Sequence, residues 1–200
     1  RVVLHGINYD EAQEEALRLV REEKRTLIHP FDDPHVIAGQ GTIAMEILKK
    51  RNGKPLDAIF VCCGGGGMLA GIASYVKAVR PSVRIIGVEA EDAAGMTESL
   101  RKGKVTALDD VGAFADGAAV RVVGTETFWI CRELVDEMIT VSTDEICAAI
   151  KTAFNDTRSV LEPAGALGVA GVQKYVQRME ERNGAFGVGS TGGSIGDADG

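Results

Sequence analysis

The sequence predicts an α/β fold: a mainly parallel sheet flanked by helices. Short apolar runs of strand length alternate with amphipathic runs of helix length, the order that builds such a sheet. The run Ala58–Cys63 is apolar without alternation, as a strand buried on both faces must be. Glycine supplies 25 of the 200 residues while aromatics make up 5%, a composition that favours close approach of backbone to backbone or to a ligand. Nothing repeats at a fixed period.

In chain order, Val2–Leu4 reads as a strand and Asp10–Glu23 as a helix, with Asp10 and Gln13 spaced as a capping box. Thr26–Ile28 reads as a short strand. Pro30 and Pro34 bracket an Asp-rich loop, and a helix follows over Gly41–Lys50. After strand Ala58–Cys63 come a helix over Met68–Arg80, a buried strand over Arg84–Glu89, and a shorter helix over Glu91–Gly103 closed by its glycine. Residues 104–120 are irregular. A helix then spans Thr125–Asp136 and a strand Met138–Val141. Ser142 caps the next helix with Glu145 as its box partner, and Ile146, Ala149, Ile150, Ala153 and Phe154 form its apolar stripe. Pro163 suits the first turn of a last helix reaching Arg182. Ala185–Val188 reads as a final strand, and residues 189–200 as a Gly-rich tail or loop.

Several function classes are disfavoured. A net charge of −7 argues against general nucleic-acid binding. No apolar run approaches the length of a membrane span, and no signal-peptide pattern is present, so a secreted protein is not expected. Cys62, Cys63, Cys131 and Cys147 lack the short spacings of a metal site and are expected to be buried free thiols in a reducing compartment. The chain opens at Arg1 without Met, as an internal fragment would.

The chemistry concentrates in Gly64-Gly65-Gly66-Gly67-Met68, where a buried strand hands over to a helix. In parallel α/β sheets ligands bind beyond the carboxyl ends of the strands. There a helix presents unpaired N–H groups and a partial positive charge, and glycines let the backbone wrap a phosphate. A structural tight turn is the competing reading. No G-K-[ST] follows, which excludes a triphosphate P-loop. Gly65-x-Gly67-x-x-Ala70, with Glu89 ending the next strand, also fits a loose dinucleotide fingerprint. The loop alone does not separate the two ligands.

Wider context does. Pro30-Phe31-Asp32-Asp33-Pro34-His35-Val36-Ile37-Ala38-Gly39-Gln40-Gly41-Thr42, the Gly64–Gly71 loop, Gly87-Val88-Glu89, Phe114-Ala115-Asp116-Gly117 and Glu162-Pro163-Ala164-Gly165-Ala166 together resemble the threonine dehydratase and serine racemase family. The likeness runs over about residues 1–183. Asp144–Ile150 looks closer to the biosynthetic threonine dehydratases of that family than to the racemases.

The resemblance implies a fold-type II pyridoxal-phosphate enzyme, similar to the β subunit of tryptophan synthase, with this chain as the carboxy-terminal part of the catalytic unit and incomplete at its amino-terminal side. Residues 1–24 would end the small cofactor-domain segment and residues 25–188 would form the large pyridoxal-phosphate domain. The implied activity is deamination of L-threonine to 2-oxobutanoate and ammonia in isoleucine synthesis. Alternatives are a serine dehydratase or racemase activity, a non-catalytic chain that binds a phosphate ligand, and an NAD-dependent oxidoreductase. Gly64, Gly65, Gly66, Gly67 and Met68 would hold the cofactor phosphate. Phe114–Gly117, Gly117 above all, would line its ring, and Ser190 would hydrogen-bond the ring nitrogen, although Ser190-Thr191-Gly192-Gly193 departs from the family's S-G-A-N. Glu162 either serves the site or orients the helix behind it. Glu89 and Ala93 match positions that bind a monovalent or divalent cation in some members. Here Gly95 replaces a carboxylate of those members, and Glu89 could equally be a strand-end acid facing water.

The family's cofactor-binding lysine sits in an S-F-K-x-R-G-like segment, and no lysine of this chain has that setting, so it is expected upstream. The family also implies a homo-oligomer, dimer or tetramer, acting on a small amino acid. Its compartment would be the cytoplasm in a bacterium and the chloroplast or mitochondrion in a eukaryote.

Overall fold

A computed structural model describes residues 1–7 and 9–187. Its elements are α1 (Tyr9–Glu23), α2 (Pro34–Arg51), β1 (Ala58–Cys62), α3 (Gly67–Val79), β2 (Arg84–Ala90), α4 (Gly95–Lys102), α5 (Thr125–Leu134), β3 (Glu137–Val141), α6 (Thr143–Thr157) and α7 (Pro163–Gly187). Single 3₁₀ turns cover Glu91–Ala93 and Asp116–Ala118.

Among the described residues the sheet has three strands in the order β1-β2-β3, all parallel. Val61 pairs with Gly87, and Gly87 with Met138. Parallel neighbours need crossovers, which α3 supplies between β1 and β2, and α4 and α5 between β2 and β3. The strands bury both faces. Val61, Cys63 and Ile85 pack with Leu69, Ile72 and Val76 of α3 and with Phe128 and Cys131 of α5. Ile86, Val88, Ile139 and Val141 point the other way, to Ile146 and Ala149 of α6 and Leu167 and Ala170 of α7. This two-sided burial is why the strands read as unbroken apolar runs.

Several sequence expectations are corrected. Val2–Leu4 and Thr26–Ile28 form no strand: Val2, Leu4 and Ile28 are 85%, 93% and 74% exposed, and β propensity without a ladder fixes nothing. Helix α1 starts at Tyr9, which puts Asp10 inside it; Glu11 rather than Gln13 reaches back, accepting from the Ile7 N–H at 2.9 Å. Helix α2 starts at Pro34, not Gly41. Proline fits the first helical turn, and the Asp33 carboxylate accepts from the N–H groups of His35 and Val36. The expected helix over 91–103 splits into the 3₁₀ turn and α4, which ends on Gly103 with φ 70°. Phe154 leaves the α6 stripe and is half exposed under the Arg158 guanidinium. Residues 185–187 continue α7 instead of starting a strand, and Val188 lies outside the described residues.

Candidate cofactor site

Beyond the carboxyl end of β1, residues 64–68 wall a cleft of about 370 Å³. A second wall is Asp116–Val120 with Glu162, Ala164 and Gly165, and Tyr9, Pro30, Phe31 and Gln40 also line the cleft. The sequence-predicted Gly64, Gly65, Gly66, Gly67, Met68 and Gly117 are thus brought together. Phe114 is not among the cleft-lining residues, and Ser190 lies outside the described residues.

The loop is shaped by what it touches. Gly66, the N-cap of α3, has φ 96°, a conformation that side chains resist. A Cβ on Gly65 would sit 2.4 Å from the Phe31 ring, so that ring lies flush on the loop. The first intrahelical bond runs from the Ala70 N–H to the Gly66 carbonyl at 2.8 Å. The N–H groups of Gly67, Met68 and Leu69 therefore precede the ladder.

Other helices treat this end differently. Asp33 caps α2 and Ser142 caps α6. The Asp32 carboxylate accepts from the N–H groups of Thr125 and Glu126 at 2.9 Å and of Thr127 at 3.2 Å, capping α5 from a distance in sequence. Glu89 does the same for α4, accepting from the N–H groups of Met96 and Thr97, both at 2.8 Å. Helix α3 has no side-chain cap at its N-cap. Its donors and dipole end lie at the cleft.

Glu89 is fully buried, which corrects its reading as an acid facing water. Burial pushes its carboxyl up to about 7, against donation from Thr97, Met96 and the Cys63 thiol. Both oxygens are committed to α4, so Glu89 does not present a free acceptor for a dinucleotide ribose. Among the described residues no three His, Cys, Asp or Glu side chains group as metal ligands would. Ala93 is buried at the end of the 3₁₀ turn Glu91–Ala93. Cys63 and Cys131 are buried and Cys62 half-buried, but Cys147 is exposed, contrary to expectation. Burial raises all three of the covered thiols, Cys131 to about 12, so they stay protonated at neutral pH.

Sequence reasoning quoted Phe31 and Asp32 only as part of a motif, and missed Thr127 altogether. Their roles depend on contacts far apart in sequence, across 62 to 95 residues for Asp32 and Thr127 and between Phe31 and Gly65 for the ring, for which no local pattern exists.

A family model described as pyridoxal-phosphate dependent enzyme matches residues 1–188, and the chain belongs to that family. Within it, the chain is 57% identical over 177 residues to the biosynthetic L-threonine dehydratase of Burkholderia multivorans, covering 88% of this chain and 35% of that protein. It is 52% identical over 182 residues to the mitochondrial threonine dehydratase of Schizosaccharomyces pombe, covering 91% and 30%. Among solved structures, the processed form of threonine deaminase isoform 2 from Solanum lycopersicum superposes with a TM-score of 0.84 at 46% identity, covering 90% of this chain and 52% of that one. The chain spans about a third of the length of the curated relatives it matches.

The residues present fit the family's cofactor at its phosphate end. Helix α3 has no side-chain cap, and a free helix N-terminus of this kind suits a phosphate without a side-chain cation. A Cβ on Gly64 would come within 2.9 Å of the Ala118 carbonyl, so the glycine keeps the two walls of the cradle in contact. The Tyr9 hydroxyl is buried beside the cleft with no hydrogen-bond partner among the described residues.

Proposed function

We propose that this cleft is the phosphate end of a pyridoxal-phosphate site and that the whole protein uses it to deaminate L-threonine to 2-oxobutanoate and ammonia, a step that feeds isoleucine synthesis. One observation carries the reading. Where α2, α4, α5 and α6 each receive a side-chain cap, α3 opens onto four glycines and a cleft. The similarity to threonine dehydratases of bacteria, yeasts and plants supports the choice of substrate.

When bound, pyridoxal phosphate supplies an electron sink that stabilises negative charge on the carbon bearing the amino group. This chain's part is to bind and orient. The N–H groups that open α3 hold the phosphate, Phe31 lies flush on the loop, and Asp116–Ala118 form the facing wall. The Asp116 carboxylate accepts from the Gly117 N–H at 3.0 Å and sets that wall's turn. Ser190 is assigned to the ring nitrogen, where a neutral hydroxyl moderates protonation. A cation at Glu89 and Ala93 would have to displace the cap of α4.

Residues 1–24 are assigned to the end of the small domain and residues 25–188 to the large domain; the expectation for residues 189–200 lies outside the described residues. The exposed apolar side chains Val2, Leu4 and Ile7 support a covering partner surface at the small-domain end. The lysine that holds the cofactor belongs to an upstream segment, and the working protein is a homo-oligomer. No helix among the described residues is long and apolar enough to cross a membrane. Relatives carry mitochondrial and chloroplastic names in eukaryotes, and the compartment is taken to follow the source.

The test uses the full-length protein. Titration with pyridoxal phosphate is expected to give a near-visible absorption band that borohydride abolishes, and L-threonine to yield 2-oxobutanoate faster than L-serine yields pyruvate. No band, together with saturable NAD binding, would remove the reading.

A further inference from the structure

Four consecutive glycines have more backbone freedom than any other tetrapeptide, so a loop made of them does not by itself hold a binding conformation. The structure shows an outside anchor. The Gly65 carbonyl oxygen, inside the loop, accepts the Thr127 hydroxyl at 2.7 Å and the Gly124 N–H at 3.1 Å. Both donors belong to the start of α5, where Gly124 is the N-cap. Thr127 is fully buried, and the other acceptor near its hydroxyl, the Gly124 carbonyl, is farther away at 3.2 Å.

That start of α5 is held in turn by Asp32, whose carboxylate takes the three N–H groups of Thr125, Glu126 and Thr127. A Cβ on Gly124 would lie 2.2 Å from the Asp32 oxygen, so the two segments meet at van der Waals limits. The residue before Asp32 is Phe31, which covers Gly65 and Gly67 from another side. One short segment therefore fixes both the loop and the helix that grips it.

The peptide bonds here are trans, which makes the carbonyl of Gly65 and the N–H of Gly66 point in opposite directions. Gripping the carbonyl from α5 settles which way that N–H points, and seats Gly66, the residue from which α3 starts. We propose that Thr127 is a positioning residue of the phosphate cradle: its hydroxyl, held in place by the Asp32-capped start of α5, pre-sets the Gly65–Gly66 peptide before the cofactor arrives. This rests on the cleft's being the pyridoxal-phosphate site. Preorganisation of this kind raises affinity by removing the ordering cost from the binding step.

The experiment measures the dissociation constant of pyridoxal phosphate from the full-length protein, with melting temperatures of the cofactor-free and cofactor-saturated forms. Thr127→Val keeps the shape and removes the hydroxyl. It is expected to weaken cofactor binding about five- to tenfold, the scale of one net hydrogen bond. The gap between the two melting temperatures should narrow, whereas a merely structural role would lower both equally. Thr127→Ser restores the donor and is expected to bind within about twofold of wild type. Wild-type affinity in Thr127→Val overturns the proposal, and so does a Thr127→Ser as weak as Thr127→Val, because shape rather than the hydroxyl would then matter. Should Thr127→Val not fold, Asp32→Ala acts from outside the core by removing the cap and is expected to weaken binding about two- to fivefold; unchanged affinity there overturns the proposal equally. A wild-type protein that binds no pyridoxal phosphate removes the reading of the cleft and this proposal together. Binding by wild type with no loss in either variant removes this proposal alone.

Discussion

Thr97 is joined to the Glu89 carboxylate twice, its N–H and its hydroxyl donating to the same oxygen at 2.8 and 2.7 Å, while the Met96 N–H takes the other oxygen. Burial nevertheless dominates and lifts the carboxyl to about 7. The sign of the pH effect follows. From about pH 4.5 to 7 the folded chain keeps a proton that the unfolded chain releases, so stability falls as pH rises through that window and levels off above it. The neighbouring Cys63 and Cys131 thiols stay protonated throughout. Against Glu89→Gln, which cannot titrate, the wild-type protein should lose up to about 3 kcal/mol more between pH 5 and pH 8. Unfolding midpoints of both at the two pH values check this, and parallel behaviour would contradict it.

The start of α6 offers a local contrast. Ser142 accepts from the Glu145 N–H at 3.3 Å while the Glu145 carboxylate accepts from the Ser142 N–H at 2.7 Å and from Lys174 at 2.9 Å. Ser142→Ala should cost about 1 kcal/mol of stability, the usual worth of an N-cap. Since α6 does not line the cleft, affinity for pyridoxal phosphate should stay at the wild-type value. A melt and a cofactor titration on the same sample separate the two.

That box was legible in the sequence because both partners lie within four residues, and the same is true of the strand–glycine–helix passage at Cys62–Met68. What the sequence hid was non-local. The cap on α5 is not in its own N-cap, Gly124, but in Asp32, so no spacing rule finds it. Glu89 looked like an acid at the end of a strand; its burial depends on α4 folding back so that Met96 and Thr97 meet it. Pro30 and Pro34 bracket an Asp-rich stretch that reads as a loop, although Asp33-Pro34 is also a good helix start. Thr26–Ile28 had the composition of a strand and lacked a neighbour to pair with.

Asp136 should respond to pH in the direction opposite to Glu89. It joins three elements, receiving Lys77 of α3 at 2.7 Å and the Ile85 N–H of β2 at 2.7 Å just before β3 begins. Burial pushes its carboxyl up, but the Lys77 ammonium and the Ile85 N–H outweigh it and hold it below the usual aspartate value. Its contribution is therefore present above about pH 4 and lost as pH falls below that. Asp136→Asn should cost about 1 kcal/mol at pH 7, a modest figure because the pair is partly solvated. The difference from wild type should shrink at pH 3, as read from denaturant midpoints.

Gly66 and Gly53 give the sharpest test of the loop itself, since both have positive φ, 96° and 78°, but in different surroundings. A Cβ at Gly53, in the turn after α2, meets nothing within 4 Å. Gly53→Ala should cost only backbone strain, about 1 kcal/mol, and leave cofactor binding alone. At Gly66 the same Cβ would stand 2.7 Å from the Met96 methyl and 2.8 Å from the Thr127 hydroxyl oxygen. Met96 and Thr127 are fully buried, so neither can swing clear without moving the loop. Gly66→Ala should cost about 2–3 kcal/mol of stability, strain and overpacking together, and lower affinity for pyridoxal phosphate at least tenfold. The comparison of the two alanine variants removes the shared strain. Equal effects on cofactor binding would mean that Gly66 matters only as a turn.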